Sequence, residues 1–298
     1  MKALNIACCM LCSLVLASCE KTFTLTNPGA GSGSGGGTSN NGSGNTPGLL
    51  LKTETISSGG TSTVTYDYDA SDRLIKQTSY SSVSPVIAVM RFVRDNNGRI
   101  IEVKSNAMPN GLSNPTMLTG TDSITIKVHY PSATSTQFDY SVYTATKMGI
   151  AFTDSVVYKY TANQLVDITE YNDLFGPSSV VSSMTYTYDA NGNVKQVQNT
   201  FTQGAGAPPT TVTYDNTFDT QKSPLILGND GLIGGGSNGQ ACGPNNMIKA
   251  VINIPGAGPQ YQNQVSTVTY QYNNDGKPAS ASYSNPVLGT STIKFYYK

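Results

Sequence analysis

Charge is scarce in this 298-residue chain: Asp, Glu, Lys and Arg make up 12 %, and 18 basic against 18 acidic side chains leave a formal net charge of zero. A nucleic-acid protein shows at least a basic stripe, so that class is excluded. There is one histidine, His129. Of the five cysteines, Cys8, Cys9, Cys12 and Cys19 crowd the N-terminus and only Cys242 lies beyond. The later part therefore holds no internal disulfide, and its size supplies a core without staples. No cysteine–histidine spacing suits zinc. Glutamate after residue 49 is limited to Glu54, Glu102 and Glu170. No long segment repeats its apolar residues every 3.6 positions, so little helix is expected beyond the first residues.

What is present begins with MKALNIACCMLCSLVLASC. A basic Lys2 precedes an apolar run from Ala3 to Ala17, too short to span a bilayer comfortably as a helix, and this reads as a secretory signal peptide. Its end, Leu16-Ala17-Ser18-Cys19, resembles the lipobox of bacterial lipoproteins. The resemblance implies cleavage before Cys19, whose thiol receives a diacylglyceryl group. Each buried lipid CH₂ contributes about 0.8 kcal/mol, so two or three acyl chains anchor a protein durably. The expected divisions are a signal peptide at 1–18, a lipidated cysteine and linker at 19–48, and one all-β domain at 49–298. Residues 27 to 48, NPGAGSGSGGGTSNNGSGNTPG, read as a tether. A Gly/Ser chain from Glu20 to Gly48 has a root-mean-square span of roughly 30 Å. Gly31-Ser-Gly33 is not a phosphate loop, because no strand precedes it and no helix follows.

A motif then recurs: Tyr66-Asp-Tyr68-Asp69, Phe92-Val-Arg94-Asp95, Tyr158-Lys-Tyr160, Tyr186-Thr-Tyr188-Asp189 and Tyr270-Gln-Tyr272-Asn273. Tyr158, Tyr186 and Tyr214 are evenly spaced, and Tyr270 falls two further steps on, which marks a repeated supersecondary unit. Met184, Tyr186 and Tyr188 alternate with Thr185 and Thr187, the period of a half-buried strand. Asp189-Ala-Asn-Gly192 carries the first- and fourth-position preferences of a type I turn. Val194 onward then returns antiparallel. Each unit is a hairpin: strand, tight turn, strand. The same alternation runs through Ile124, Ile126, Val128, Tyr130 and through Ile293, Phe295, Tyr297.

The Tyr-x-Tyr-Asp-x-x-Gly-Arg-Leu pattern is similar to the YD repeats of Rhs-type shells and teneurins. The match is partial: the Phe92 copy keeps Gly98-Arg99 but lacks the tyrosine pair, and the Tyr66 copy has Asp72 in place of Gly. The chain more broadly resembles a family of uncharacterised Gram-negative lipoproteins, a domain of unknown function with a porin-like fold. Phe218-Asp219-Thr-Gln-Lys222-Ser-Pro224 and Asn245-Asn246 match elements of that family. The resemblance covers most of 49–298 and implies a fold, with no settled activity.

The expected architecture is an antiparallel up-and-down meander of about fourteen to eighteen strands. Such a sheet must curl to manage its edges, giving a barrel or half-barrel, with an open twisted sheet as the alternative. A membrane-spanning barrel ranks third, since one face of the strands carries Thr, Ser, Lys and Asp. The recurring tyrosines are read as an inner packing ladder rather than a sugar-binding surface. His129 is read as a solvated strand residue without a visible partner, and Cys242 as incidental. Glu102 and Glu170 are read as solvent-face residues, with a hydrolytic pair as the rival. Asp67, Asp69 and Asp72 lack the turn of a calcium loop. The long Gly-rich stretch 225–246 is the most irregular segment and a place for function. No catalytic residue, metal or cofactor is assigned; the one assigned site is lipidation at Cys19. The expected partners are a membrane, through Cys19, and a glycan or small apolar ligand. The expected location is the outer membrane, at the cell surface rather than the periplasmic face. A surface binding module leads, followed by a carrier of an apolar ligand and then a hydrolase.

Overall fold

The computed structural model describes residues 48–106, 123–147, 150–172, 179–202, 208–224, 233, 243–256, 258–259, 262–287 and 289–298. The signal peptide, Cys19, the tether and Cys242 lie outside them. The strands are β1 (Leu50–Ser57), β2 (Gly60–Tyr68), β3 (Leu74–Ser81), β4 (Ser84–Arg94), β5 (Ile100–Ser105), β6 (Ser123–His129), β7 (Tyr140–Lys147) and β8 (Ile150–Thr161). They continue as β9 (Gln164–Asn172), β10 (Ser179–Tyr188), β11 (Val194–Phe201), β12 (Thr210–Lys222), β13 (Asn245–Asn253), β14 (Gln264–Tyr272), β15 (Pro278–Asn285) and β16 (Gly289–Tyr297). Each pairs antiparallel with its sequence neighbours, and β16 pairs with β1 to close the ring. The expected meander is therefore a closed barrel of sixteen strands.

Strand alternation assigns the two faces. Val64, Tyr66, Ile100, Val103, Ile126, Tyr158, Met184, Tyr186, Tyr214, Ile252, Val268 and Ile293 are all buried in one continuous cluster. Their neighbours Thr185, Thr187, Thr267, Thr269, Ser282, Thr292 and Lys294 are exposed. A round sixteen-stranded porin leaves a water channel. Here Ile100, Val103, Ile126, Val194, Val197 and Ile293 have no accessible surface at all. A side chain pointing into the ring reaches that state only with atoms packed over it, and Phe138 and Ile233, which come from connections rather than strands, belong to the same buried cluster. The polarity is the reverse of a lipid-embedded wall, which needs an apolar outer band.

The turns repeat with little variation. In the 69–73, 95–99 and 189–193 turns the Asp backbone N–H donates to the carbonyl four residues on, at 2.9 Å each time. The same Asp Oδ1 accepts from the backbone two and four residues ahead, as in Asn191 and Asn193, both at 2.9 Å. Asn273 performs this role for 273–277. Gly98, Gly192 and Gly276 take positive φ, and Asp72 replaces glycine at φ 58°. A short polar side chain tolerates that conformation. The shortened copy turns through Ala162 and Asn163, both at positive φ, as a two-residue hairpin of the primed type requires.

After each of these turns the register slips by one residue. Tyr68 faces Leu74, Arg94 faces Ile100, Tyr160 faces Leu165, Tyr188 faces Val194 and Tyr272 faces Pro278, with a bulge beside each. Phe218–Met247 and the closing pair Tyr297–Leu50 do the same. The ladder on the other side of these strands begins only beyond the bulge, as at Lys76↔Arg91 and Gln196↔Asp215. The carbonyl of the first residue is thus left without a strand partner, and a buried one would be costly. The next strand supplies a side chain. Tyr68 Oη donates to Leu50 O at 2.8 Å, Tyr188 to Leu165 O at 2.6 Å, and Tyr297 to Pro278 O at 2.8 Å. Tyr130 and Tyr270 reach Ile100 O and Met247 O likewise. Where tyrosine is missing, Arg94 bonds Leu74 O and Asn216 bonds Val194 O. In the Tyr66 and Tyr186 units the first tyrosine of the motif packs the core and the second latches the neighbouring bulge; in the last unit Tyr270 latches Met247 O.

Candidate functional site: an aromatic station at the barrel seam

With the ladder tyrosines turned inward, aromatic rings available to a partner must lie elsewhere. Tyr296 is the middle residue of Phe295-Tyr296-Tyr297, so strand alternation turns it outward where its neighbours face in. It sits opposite Lys52 across the β16–β1 seam. Tyr296 Oη donates to Glu54 Oε2 at 2.6 Å. Lys52 Nζ donates to Glu54 Oε1 at 2.9 Å and lies 3.9 Å above the Tyr296 ring centre. Glu54 in turn faces Thr63 on β2, and Thr63 faces Tyr80 on β3. Tyr80 is 45 % exposed, while Thr63 below it is only 4 % exposed. Three strand spacings, about 14 Å, and an offset of two residues along the strands separate Tyr296 from Tyr80.

The three polar groups bias one another's protonation. The Tyr296 hydroxyl and then the Lys52 ammonium lower the Glu54 pKa from its ordinary value. The bond to Glu54 raises that of Lys52, and the bond from Tyr296 to the same carboxylate raises that of the phenol. Two rings thus flank a fixed ion pair on a threonine floor. Rings offer flat apolar faces, and the carboxylate and ammonium offer directed hydrogen bonds. Sequence reasoning passed over Tyr80 and Tyr296 because neither belongs to the tyrosine pairs. The signal was the run of three aromatics at 295–297, which alternation cannot bury together.

The earlier candidates fall into three groups. The tyrosine ladder is internal as expected except at Tyr272, which is 37 % exposed; burial pushes Tyr158 up to about 12 and raises Tyr66 and Tyr186 as well. Two expectations are corrected. Glu170 is not on the solvent face; it is 2 % exposed, inside the barrel, on the register of Val156 and Ser182. β9 is in phase with Ile168, so Glu170 must point inward. Around it the interior turns polar, with Ser141 Oγ 3.0 Å from Tyr158 Oη and Ser182 bonded to Asn199. His129 is solvated but has a partner: Nδ1 lies 2.6 Å from Asp139 Oδ1, and its ring stacks on Tyr140 at 4.3 Å. Asp139 comes from the connection after β6, a contact no local spacing announces. Glu102 faces outward and bonds to Lys104 at 2.9 Å, so it and Glu170 lie on opposite sides of the wall and share no cleft. Asp67 pairs with Lys76 and Asp69 with Arg73. Among the described residues no group of His, Cys, Asp or Glu could hold a metal. Asp219 and Asn246 are brought together: Asn246 N donates to Asp219 Oδ1 at 3.2 Å, and Tyr272 Oη donates to the same carboxylate. They tie β12, β13 and β14 beside the 223–244 connection. Within the stretch 225–242 only Ile233 is described, and it is fully buried in the core.

Two solved structures share this architecture. A porin-like protein from Bacteroides uniformis superposes with a TM-score of 0.53 at 14 % identity, covering 85 % of this chain and 98 % of its own. A porin-like protein from Bacteroides vulgatus gives 0.51 at 9 % identity, covering 84 % and 99 %. The chain has a porin-like barrel fold. No protein-family model matches it, and no curated protein matches it. At such identities the likeness is one of fold.

Proposed function

We propose that this is a lipid-anchored protein of the bacterial outer membrane, facing the cell surface, that binds a glycan or similar extracellular polymer without chemically altering it. Cys19 carries the lipid, and the Gly/Ser tether lets the barrel reorient on its anchor. The observation that carries the binding reading is the seam station. Tyr80 and Tyr296 are exposed astride the Lys52–Glu54 pair, while the repeat tyrosines Tyr66, Tyr158, Tyr186 and Tyr214 are buried. The rivals fit less well. A carrier of an apolar ligand would have to open the one continuous cluster into which the inner side chains pack. A hydrolase would need two carboxyl groups facing across a cleft, and Glu102 and Glu170 do not.

Glycan-array binding followed by titration calorimetry tests this. The wild-type protein should bind an oligosaccharide weakly, and Tyr80→Ala with Tyr296→Ala should weaken binding at least tenfold. Equal binding by the double variant would overturn the reading. Proteinase shaving of intact cells tests the address: release of the barrel while a periplasmic control survives supports surface exposure, and protection contradicts it.

A further inference from the structure

The two ends of the barrel differ in chemistry. At the end where β1 begins, the tight turns are rich in charge: Asp69, Asp72, Arg73, Asp95, Arg99, Asp189, Asp275 and Lys277. At the opposite end the connections between strands contain only two charged residues in sequence, Asp122 and Asp173. The described residues there expose apolar side chains. Val83 at the β3–β4 tip is 71 % exposed, Ile87 54 % and Val180 50 %, with Val287 at the β15–β16 tip and Ile56 also exposed.

These side chains are presented rather than left loose. Ser82 accepts a bond from Thr61 N at its Oγ, at 2.9 Å, and donates its own N–H to Thr61 O at 2.8 Å. That clamps the β3–β4 tip to the β1–β2 tip. Gly60, at φ 121°, allows the approach, because a Cβ there would meet Val83 at 2.8 Å. Asn285 Oδ1 likewise accepts from Val287 N at 2.8 Å and shapes the β15–β16 tip.

We infer that this charge-poor rim seats on a lipid surface, with its apolar tips entering the headgroup boundary. Three observations favour a membrane over a protein partner. The exposed residues lie along one arc of the rim, from the β15–β16 tip through β1 to β4, with Val180 on β10 apart from it, so they form a projecting edge that suits a plane better than a groove. Charges that would resist entry into the boundary are nearly absent from the connections. The chain before β1 also permits it. β1 starts at the charged end, so an anchored Cys19 must reach past the length of the barrel. Strands of eight or nine residues stand roughly 20–25 Å tall when tilted, and the tether's composition and length give a span of roughly 30 Å. The rim and the lipid on Cys19 would form the two signals that stable membrane attachment requires. This leans on the proposed anchor for its geometry, but its test does without Cys19.

The test uses the chain from Glu20, which keeps the tether and every strand of the closed ring but carries no lipid. It is floated with phosphatidylcholine vesicles, without glycan. Wild type should co-float, and Val83→Asp with Val287→Asp should lower the bound fraction at least tenfold. Asn97→Asp with Asn191→Asp, which add the same charge at the other end, should leave it unchanged. Circular dichroism and thermal melting confirm that each variant is folded. Failure of wild type to float, or equal loss with the charged-end variant, overturns the inference. So does a concentration-dependent dimer in sedimentation that the rim variant abolishes, because the rim would then join copies. Normal glycan binding alongside failed flotation would sink this inference alone.

Discussion

The β10–β11 hairpin and the β6–β8 sector solve the same problem with different parts. In the first, the Asp189 turn is followed by a bulge at Val194, and the preceding Leu165 carbonyl is capped by Tyr188 at 2.6 Å. In the second, β6 and β7 pair without a bulge, and the β7–β8 ladder runs from Tyr140 onward. No carbonyl is left over at that point. The latch residue on β8, Tyr160, accordingly has a buried hydroxyl without a hydrogen-bond partner. The 130–139 connection fills the space instead. Phe138 is 1 % exposed and packs edge-on against Tyr130, Tyr158 and Tyr160. Arg99 holds this connection through the carbonyls of Ser132 and Ser135, each at 3.0 Å. Latch and bulge therefore belong together: where one is missing, the other has nothing to bond.

The largest effect should come from emptying the irregular sector. Phe138→Ala removes a fully buried ring from among three others and should cost about 3–5 kcal/mol in urea unfolding. Next comes the latch. Tyr188→Phe strands the Leu165 carbonyl and should cost about 1–2 kcal/mol. Tyr160→Phe is the matching control. It removes a hydroxyl that bonds nothing and should change stability by less than about 0.5 kcal/mol, or raise it. Equal losses from the two phenylalanine variants would break the link between latch and bulge.

The smallest effect concerns the turns. The Arg73 side chain and backbone hold the Asp69 carboxyl down at about 2, against an ordinary value of 3.8. Its folded-state value lies below its unfolded one, so its contribution is complete above about pH 4 and fades as pH falls toward about 2. Amide exchange at the 69–73 turn should quicken across that window in wild type. In Asp69→Asn it should show no such step.

Much of this was legible in the sequence. Period-two alternation and the Asp-x-x-Gly spacing gave the hairpins, and their recurrence gave the meander, while a closed ring, a half-barrel and an open sheet all remained compatible with it. The bulges were written as paired apolar residues just after the turns, Leu74-Ile75, Ile100-Ile101, Leu50-Leu51 and Met247-Ile248, which break alternation. What stayed hidden depends on distant pairing. Glu170 reads as a polar residue on a strand, and only its phase with Ile168 turns it inward. The partner of His129 arrives from a connection ten residues on. The seam station joins residues 242 apart in sequence, Glu54 and Tyr296, which meet only because β16 closes on β1.

The central claim is that the tyrosines form two populations, an inner ladder that builds the barrel and an exposed set, Tyr80, Tyr140, Tyr272 and Tyr296, of which Tyr80 and Tyr296 flank the seam ion pair. Nitration with tetranitromethane under native conditions, read by peptide mass spectrometry, tests it most directly. The account predicts rapid modification of Tyr80 and Tyr296, with Tyr66, Tyr158, Tyr186 and Tyr214 protected until the protein is unfolded. Native modification of the ladder tyrosines at the rate of Tyr80 would contradict it, because the barrel would then be open and its interior wet.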